Sequence, residues 1–187
     1  MLKSLARPLL RPATTSADFD FLMGIWRVQH RFRVRRLAAC NDWIAFEGTC
    51  AARKILGGVG NTDENDISMP GGRYTAMSLR LWDAERERWT IHWLDSRRPG
   101  AMAPEVCGSF ARRPDGLFGV FYGDDVLDGA AIRVRYIWSR ITEEGARWER
   151  PSRLTKAQAG KPTGIWTLRA CNPAFGRSPR RRHTLSP

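Results

Sequence analysis

From Ile25 to Arg35 the chain alternates strictly. Trp26, Val28, His30, Phe32 and Val34 fall on one side, and Arg27, Gln29, Arg31, Arg33 and Arg35 on the other. A period of two over that length predicts a long half-buried strand with a basic outer face. Further strands are expected at about Asp42–Ile55, Arg73–Asp83, Arg88–Asp95, Pro104–Arg113, Leu117–Leu127 and Ala130–Arg140, with another beginning at Ala146. Turn residues separate them: Asp83-Ala84-Glu85-Arg86, Pro114-Asp115-Gly116, Leu127-Asp128-Gly129 and Glu143-Glu144-Gly145. Ahead of the first strand, Ser16 can cap a helical turn over residues 17–23 that Gly24 ends. Residues 56–72 show no period, only glycines, Asn61 and Pro70, which predicts a long loop of the kind that often carries function. No helical run of ten or more residues follows Gly24, which excludes βαβ folds. The expectation is all-β: an up-and-down antiparallel barrel of about eight strands behind a short helical turn. A β-sandwich is the alternative, but its crossovers need longer connections than most of these.

Particular segments sharpen that expectation. Phe19-Asp20-Phe21-Leu22-Met23-Gly24-Ile25-Trp26-Arg27-Val28 resembles the opening of a lipocalin-like bacterial family classed as a domain of unknown function, whose helical turn runs into a Gly-x-Trp. The stretches Leu56–Asn65, Trp93-Leu94-Asp95-Ser96-Arg97 and Phe121-Tyr122-Gly123-Asp124-Asp125 are similar to that family too, so the resemblance spans about residues 18–150. It implies a calycin-type barrel. The family has no assigned activity, so it implies little about function.

Charge divides the chain unevenly. Residues 151–187 hold 8 of the 31 Lys and Arg and none of the 19 Asp and Glu, together with five of the eleven prolines. The basic character therefore belongs to the end of the chain, and it is no reason to read the whole protein as a nucleic-acid binder. Three segments are expected: a flexible arm at 1–16, the barrel at 17–150, and a basic, disordered tail at 151–187. A barrel stopped near Arg150 leaves an open edge, which natural sheets avoid. The family resemblance implies a closing hairpin ending in a Glu-Thr-Asn-Trp-like strand. Back-translation from Pro151, read one base earlier, permits Ala-Phe-Ser-Thr-Asp-Glu-Gly-Pro-Gly-Arg-Glu-Thr-Asn-Trp-Asp-Met-Asp-Phe-Ala-Arg. A frameshift near Arg150 thus accounts for the tail, with a true basic extension as the alternative.

Cys40, Cys50, Cys107 and Cys171 form no CxxC pair and have no His at zinc spacing, which suits reduced cytoplasmic cysteines. Arg7 interrupts the apolar stretch from Leu5 to Leu10, so a secretory signal is not expected, and no apolar run of membrane-spanning length occurs in this sequence. No nucleotide-binding, hydrolase or zinc-protease motif occurs. Candidate chemistry therefore rests on the barrel interior.

Asn61, Asp63, Glu64 and Asn65 cluster in the irregular stretch and can serve as loop tethers, as a pocket rim, or as ligands for a hard cation; the loop reading leads. Inside the barrel, Trp26, Trp93, Tyr122 and Trp138 are the expected walls, with Arg80 or Arg135 anchoring polar ligand atoms. The alternative for such polar residues is an internal network of arginines and acids that fills a small barrel. His30, Asp95 or Glu47 would be the acid–base groups if the cavity were enzymatic, although an inward His30 is more often a core residue. The expected partner is one small apolar or amphipathic molecule. No cofactor, metal or membrane is called for, and nucleic acid through the tail is the remaining alternative.

Overall fold

The computed structural model describes residues 14–34, 41–154 and 162–171. The arm at 1–13, residues 155–161 and the tail from 172 lie outside the described residues. Ten strands appear in chain order: β1 (Gly24–Arg33), β2 (Trp43–Ile55), β3 (Gly60–Met69), β4 (Gly72–Asp83), β5 (Arg88–Asp95), β6 (Val106–Arg113), β7 (Gly116–Leu127), β8 (Ala130–Ser139), β9 (Gly145–Leu154) and β10 (Pro162–Ala170). Each pairs antiparallel with the next, and β10 returns to β1, so the sheet closes into an up-and-down barrel. Closure leaves no long sheet edge exposed.

Ten strands replace the expected eight, and both additions have a physical cause. β3 occupies the stretch expected to be a loop. Its inward positions are Asn61, Asp63 and Asn65, so neither face reads as apolar although all three are buried. β9 continues past Arg150 through Leu154, and β10 follows, which corrects the domain boundary at 150 and the disordered reading of 151–154 and 162–170. β10 starts on Pro162, a position where proline is tolerated in a strand, and a register shift separates Pro162 from Gly164. The helical turn is shorter than expected, a single 3₁₀ turn over Asp20–Leu22. Thr15 and Asp18, not Ser16, hold its entrance: Thr15 N–H donates to Asp18 Oδ2 and Ala17 N–H to Thr15 Oγ1.

Local chemistry explains the connections. β7 and β8 meet through Asp128-Gly129, both at positive φ (51° and 77°), which matches the twist of a two-residue hairpin and suits this pair of residues. The β4–β5 turn is tied by Asp83, which accepts from the Arg86 backbone and guanidinium.

The core sits at the end where β1 begins. Phe19 and Leu22 of the 3₁₀ turn plug that end, with the Phe19 ring 4.9 Å from Trp89, 4.8 Å from Phe110 and 6.0 Å from Trp138, all edge-on. Trp26 is buried against the plug, and its indole N–H donates to the Leu22 carbonyl at 2.7 Å. Among the described residues the opposite end has no such plug, only a smaller buried cluster of Phe46, Ile67, Tyr74 and Ala76, and there the interior opens.

Candidate functional site

Antiparallel order brings the ends of β1, β3, β5, β7 and β9 together with the starts of β2, β4, β6, β8 and β10. At that open end lies a cavity of about 630 Å³, lined by 23 residues from Leu22 at depth to Arg33, Arg97 and Arg150 near the rim. Its size falls in the range of small-molecule sites.

One wall is aromatic. Trp166 lies 4.8 Å from Trp148 and Trp148 5.0 Å from Tyr136 on the adjacent strands β10, β9 and β8, and Trp93 of β5 reaches Trp166 from across the barrel at 5.5 Å. The inward parity of each strand places them: Trp93 shares a face with Ile91, Trp166 with Leu168, and Trp148 with Ala146. At the rim, the Arg97 guanidinium stands 3.7 Å from the Tyr74 ring centre and pairs with Asp95 at 2.8 Å. That pairing holds the Asp95 carboxyl below its ordinary range, whereas burial pushes the Tyr74 phenol up. Arg150 donates to Asp125 at 2.9 Å and lies over Tyr136.

The opposite wall is polar and comes from β3 and β4. Arg80, 4 % exposed, donates from Nη1 to Asn61 Oδ1 at 3.0 Å and from Nη2 to Asp63 Oδ2. Asp63, 3 % exposed, also accepts from the Ser78 backbone N–H at 2.9 Å and from Asn65 Nδ2 at 2.6 Å. The guanidinium lies 5.1 Å from the Phe19 ring, which couples this network to the plug. Cys50 lines the cavity as a free thiol whose pKa burial raises. Among the described residues no three His, Cys, Asp or Glu side chains converge to hold a metal ion.

The sequence candidates separate cleanly. Asn65, Arg80, Trp93 and Trp138 line the cavity. Asn61 is buried behind it as a partner of Arg80, and Asp95 stands at the rim on Arg97. Trp26 belongs to the plugged core, not to the cavity wall. His30 is fully buried beside the cavity, stacked on Phe46 at 4.9 Å and edge-on to Trp166 at 4.7 Å. Burial in this apolar setting lowers its pKa to about 4. Gly48 makes the placement possible, because a Cβ there would stand 2.8 Å from His30 Nε2.

Four candidates expected inside or at the rim face outward: Glu47, Glu64, Tyr122 and Arg135 are exposed, Tyr122 at 45 %. Strand parity is the reason. Phe46 and Gly48 point in, so Glu47 points out, and Tyr122 alternates with Phe121 and Gly123 in the same way. The residues that sequence reasoning missed are Tyr74, Arg97, Tyr136, Trp148, Arg150 and Trp166. Parity with Arg80 and Trp138 marks Tyr74 and Tyr136; Trp148, Arg150 and Trp166 lay at or beyond the expected end of the barrel.

The fold is a closed, antiparallel, up-and-down β-barrel with one end plugged and, among the described residues, the other end open. An S-type phycobiliprotein lyase from Guillardia theta, CPES, shares that fold with a TM-score of 0.50 at 12% identity, over 85% of this chain and 93% of that one. No family model matches the chain. No curated protein matches it.

Proposed function

We propose that this protein binds one small, largely apolar aromatic molecule in the open half of its barrel. The observation that carries the reading is the 630 Å³ cavity walled by Trp166, Trp148 and Tyr136, with Trp93 facing them from β5. Flat rings stack on such a wall, and apolar burial supplies the affinity, about 25 cal/mol per Å² removed from water. Arg33, Arg97 and Arg150 stand where a polar or anionic end would emerge. Resemblance to the lipocalin-like bacterial family is part of this reading. The phycobiliprotein lyase likeness supports the barrel alone.

The enzymatic arrangement read from the sequence has less support. Glu47 faces outward, Asp95 is engaged by Arg97, and His30 lies behind the wall among Phe46 and Trp166. Those three groups do not converge on the cavity.

Titration with anilinonaphthalenesulfonate tests the reading. Tryptophan fluorescence should be quenched saturably with a single site, and Trp93→Ala should weaken the response. Native mass spectrometry of freshly purified protein should retain a bound small molecule or a stoichiometric added probe. Identical responses from wild type and variant would remove the cavity assignment.

A further inference from the structure

The polar wall carries two hydrogen-bonding atoms that its network leaves over. Asn65 and Arg80 both line the cavity and are 2 % and 4 % exposed. Asn65 uses its amide N–H on Asp63, and its Oδ1 has no hydrogen-bond partner among the described residues. Arg80 uses Nη1 and Nη2 on Asn61 and Asp63, and its Nε–H likewise has none. Buried polar atoms without partners are rare and costly, and each calls for an explanation. Here one is an acceptor and the other a donor, on two side chains locked to the same Asp63 carboxylate. The carboxylate itself is occupied by Ser78, Asn65 and Arg80.

The sign of the wall narrows what fits. Arg80 and Asp63 neutralise each other, so an anion placed there meets the Asp63 charge and a cation meets the guanidinium. A neutral group that offers both a donor and an acceptor satisfies both atoms without adding charge to a buried site. We infer that the cavity selects ligands carrying an uncharged amide-type group, an N–H beside a C=O as in a lactam, and seats that group against Asn65 Oδ1 and Arg80 Nε–H. Its aromatic body then rests on the tryptophan wall. This inference rests on the small-molecule reading above and specifies the polar end of that molecule.

Three tricyclic probes of nearly equal shape test it: phenanthridinone, which has the lactam; N-methylphenanthridinone, which lacks the donor; and phenanthridine, which lacks the N–H and the carbonyl. Dissociation constants come from equilibrium dialysis against wild type and Asn65→Leu, with anilinonaphthalenesulfonate as the reference ligand. The lactam should bind wild type about tenfold more tightly than either analogue, the scale of one buried hydrogen bond lost. Asn65→Leu should erase most of that preference, so that the three probes bind the variant with nearly equal affinity. Equal affinities in wild type, an unchanged preference in the variant, or three non-binding probes beside a bound reference ligand would each overturn the inference alone. Failure of every compound, the reference included, would overturn the binding reading and this inference with it. If Asn65→Leu does not fold, the wild-type ranking decides.

Discussion

Truncating the charge on Arg80 is the sharpest test of how the barrel is held around its cavity. Arg80→Met keeps the aliphatic stem and removes the guanidinium from both Asp63 and the Phe19 ring. The carboxylate then keeps its neutral donors, the Ser78 N–H and Asn65 Nδ2, but no counter-charge, at 3 % exposure. Breaking a buried pair by removing one partner costs about 3–5 kcal/mol. With a urea m-value of about 2 kcal/mol/M, a loss of about 4 kcal/mol lowers the unfolding midpoint by about 2 M. Asp63→Asn, which strands the guanidinium instead, should cost a comparable amount. Because the two penalties arise from one broken pair, the double variant should be at least about 2 kcal/mol more stable than the sum of the singles predicts. Tryptophan-detected urea unfolding at neutral pH measures all four proteins. Additive losses, or a loss under about 1 kcal/mol for either single variant, would refute the reasoning.

Protonation of His30 should destabilise the fold at mildly acid pH. Its folded pKa is lowered to about 4 from 6.5, so the unfolded chain binds the extra proton first, and stability falls as pH drops from about 6.5 towards 4, by on the order of 3 kcal/mol in all. Urea midpoints at three pH values across that window should show the loss in wild type and a flatter profile in His30→Phe. Trp26→Ala should cost roughly 3–5 kcal/mol, since it empties a buried site and leaves the Leu22 carbonyl without its donor, and an unchanged melting temperature would contradict the placement.

The barrel class was legible because most strands alternate apolar and polar residues and are divided by turns with specific chemistry, such as Asp128-Gly129. β3 was not legible because hydrophobic period is the signal for a strand, and its buried face is Asn61, Asp63 and Asn65. The same fact hid half the site. A sequence can show that Arg80 needs a buried partner, but the partner lies across a strand pair, where Asn61 faces Arg80 and Asp63 faces Ser78. Trp166 was hidden differently, by prolines and basic residues that made the final strand look like a tail. Outward placement of Glu47, Tyr122 and Arg135 was readable, since counting by two from a buried neighbour assigns each of them to solvent.

The wall of the cylinder is unevenly sewn. β1 and β2 pair along their whole shared length, from Gly24 with Ala52 to Arg33 with Trp43, whereas β5 meets β6 only through Trp89, Thr90 and Ile91. Above Ile91 the strands part, and the Trp93 carbonyl is taken by the Ala103 N–H of the intervening loop at 2.9 Å. That gap gives the barrel a slit beside its rim, where one loop contact replaces a ladder of them. Segments held by few buried hydrogen bonds open at the lowest free energy. Motion there widens the doorway on the side of Trp93 and leaves the plugged end shut, so amide exchange at residues 92–95 should run well ahead of exchange along β1. A guest of the kind proposed above would then enter and leave past a short stretch of β5 and its loop, while the rest of the cylinder stays folded around it.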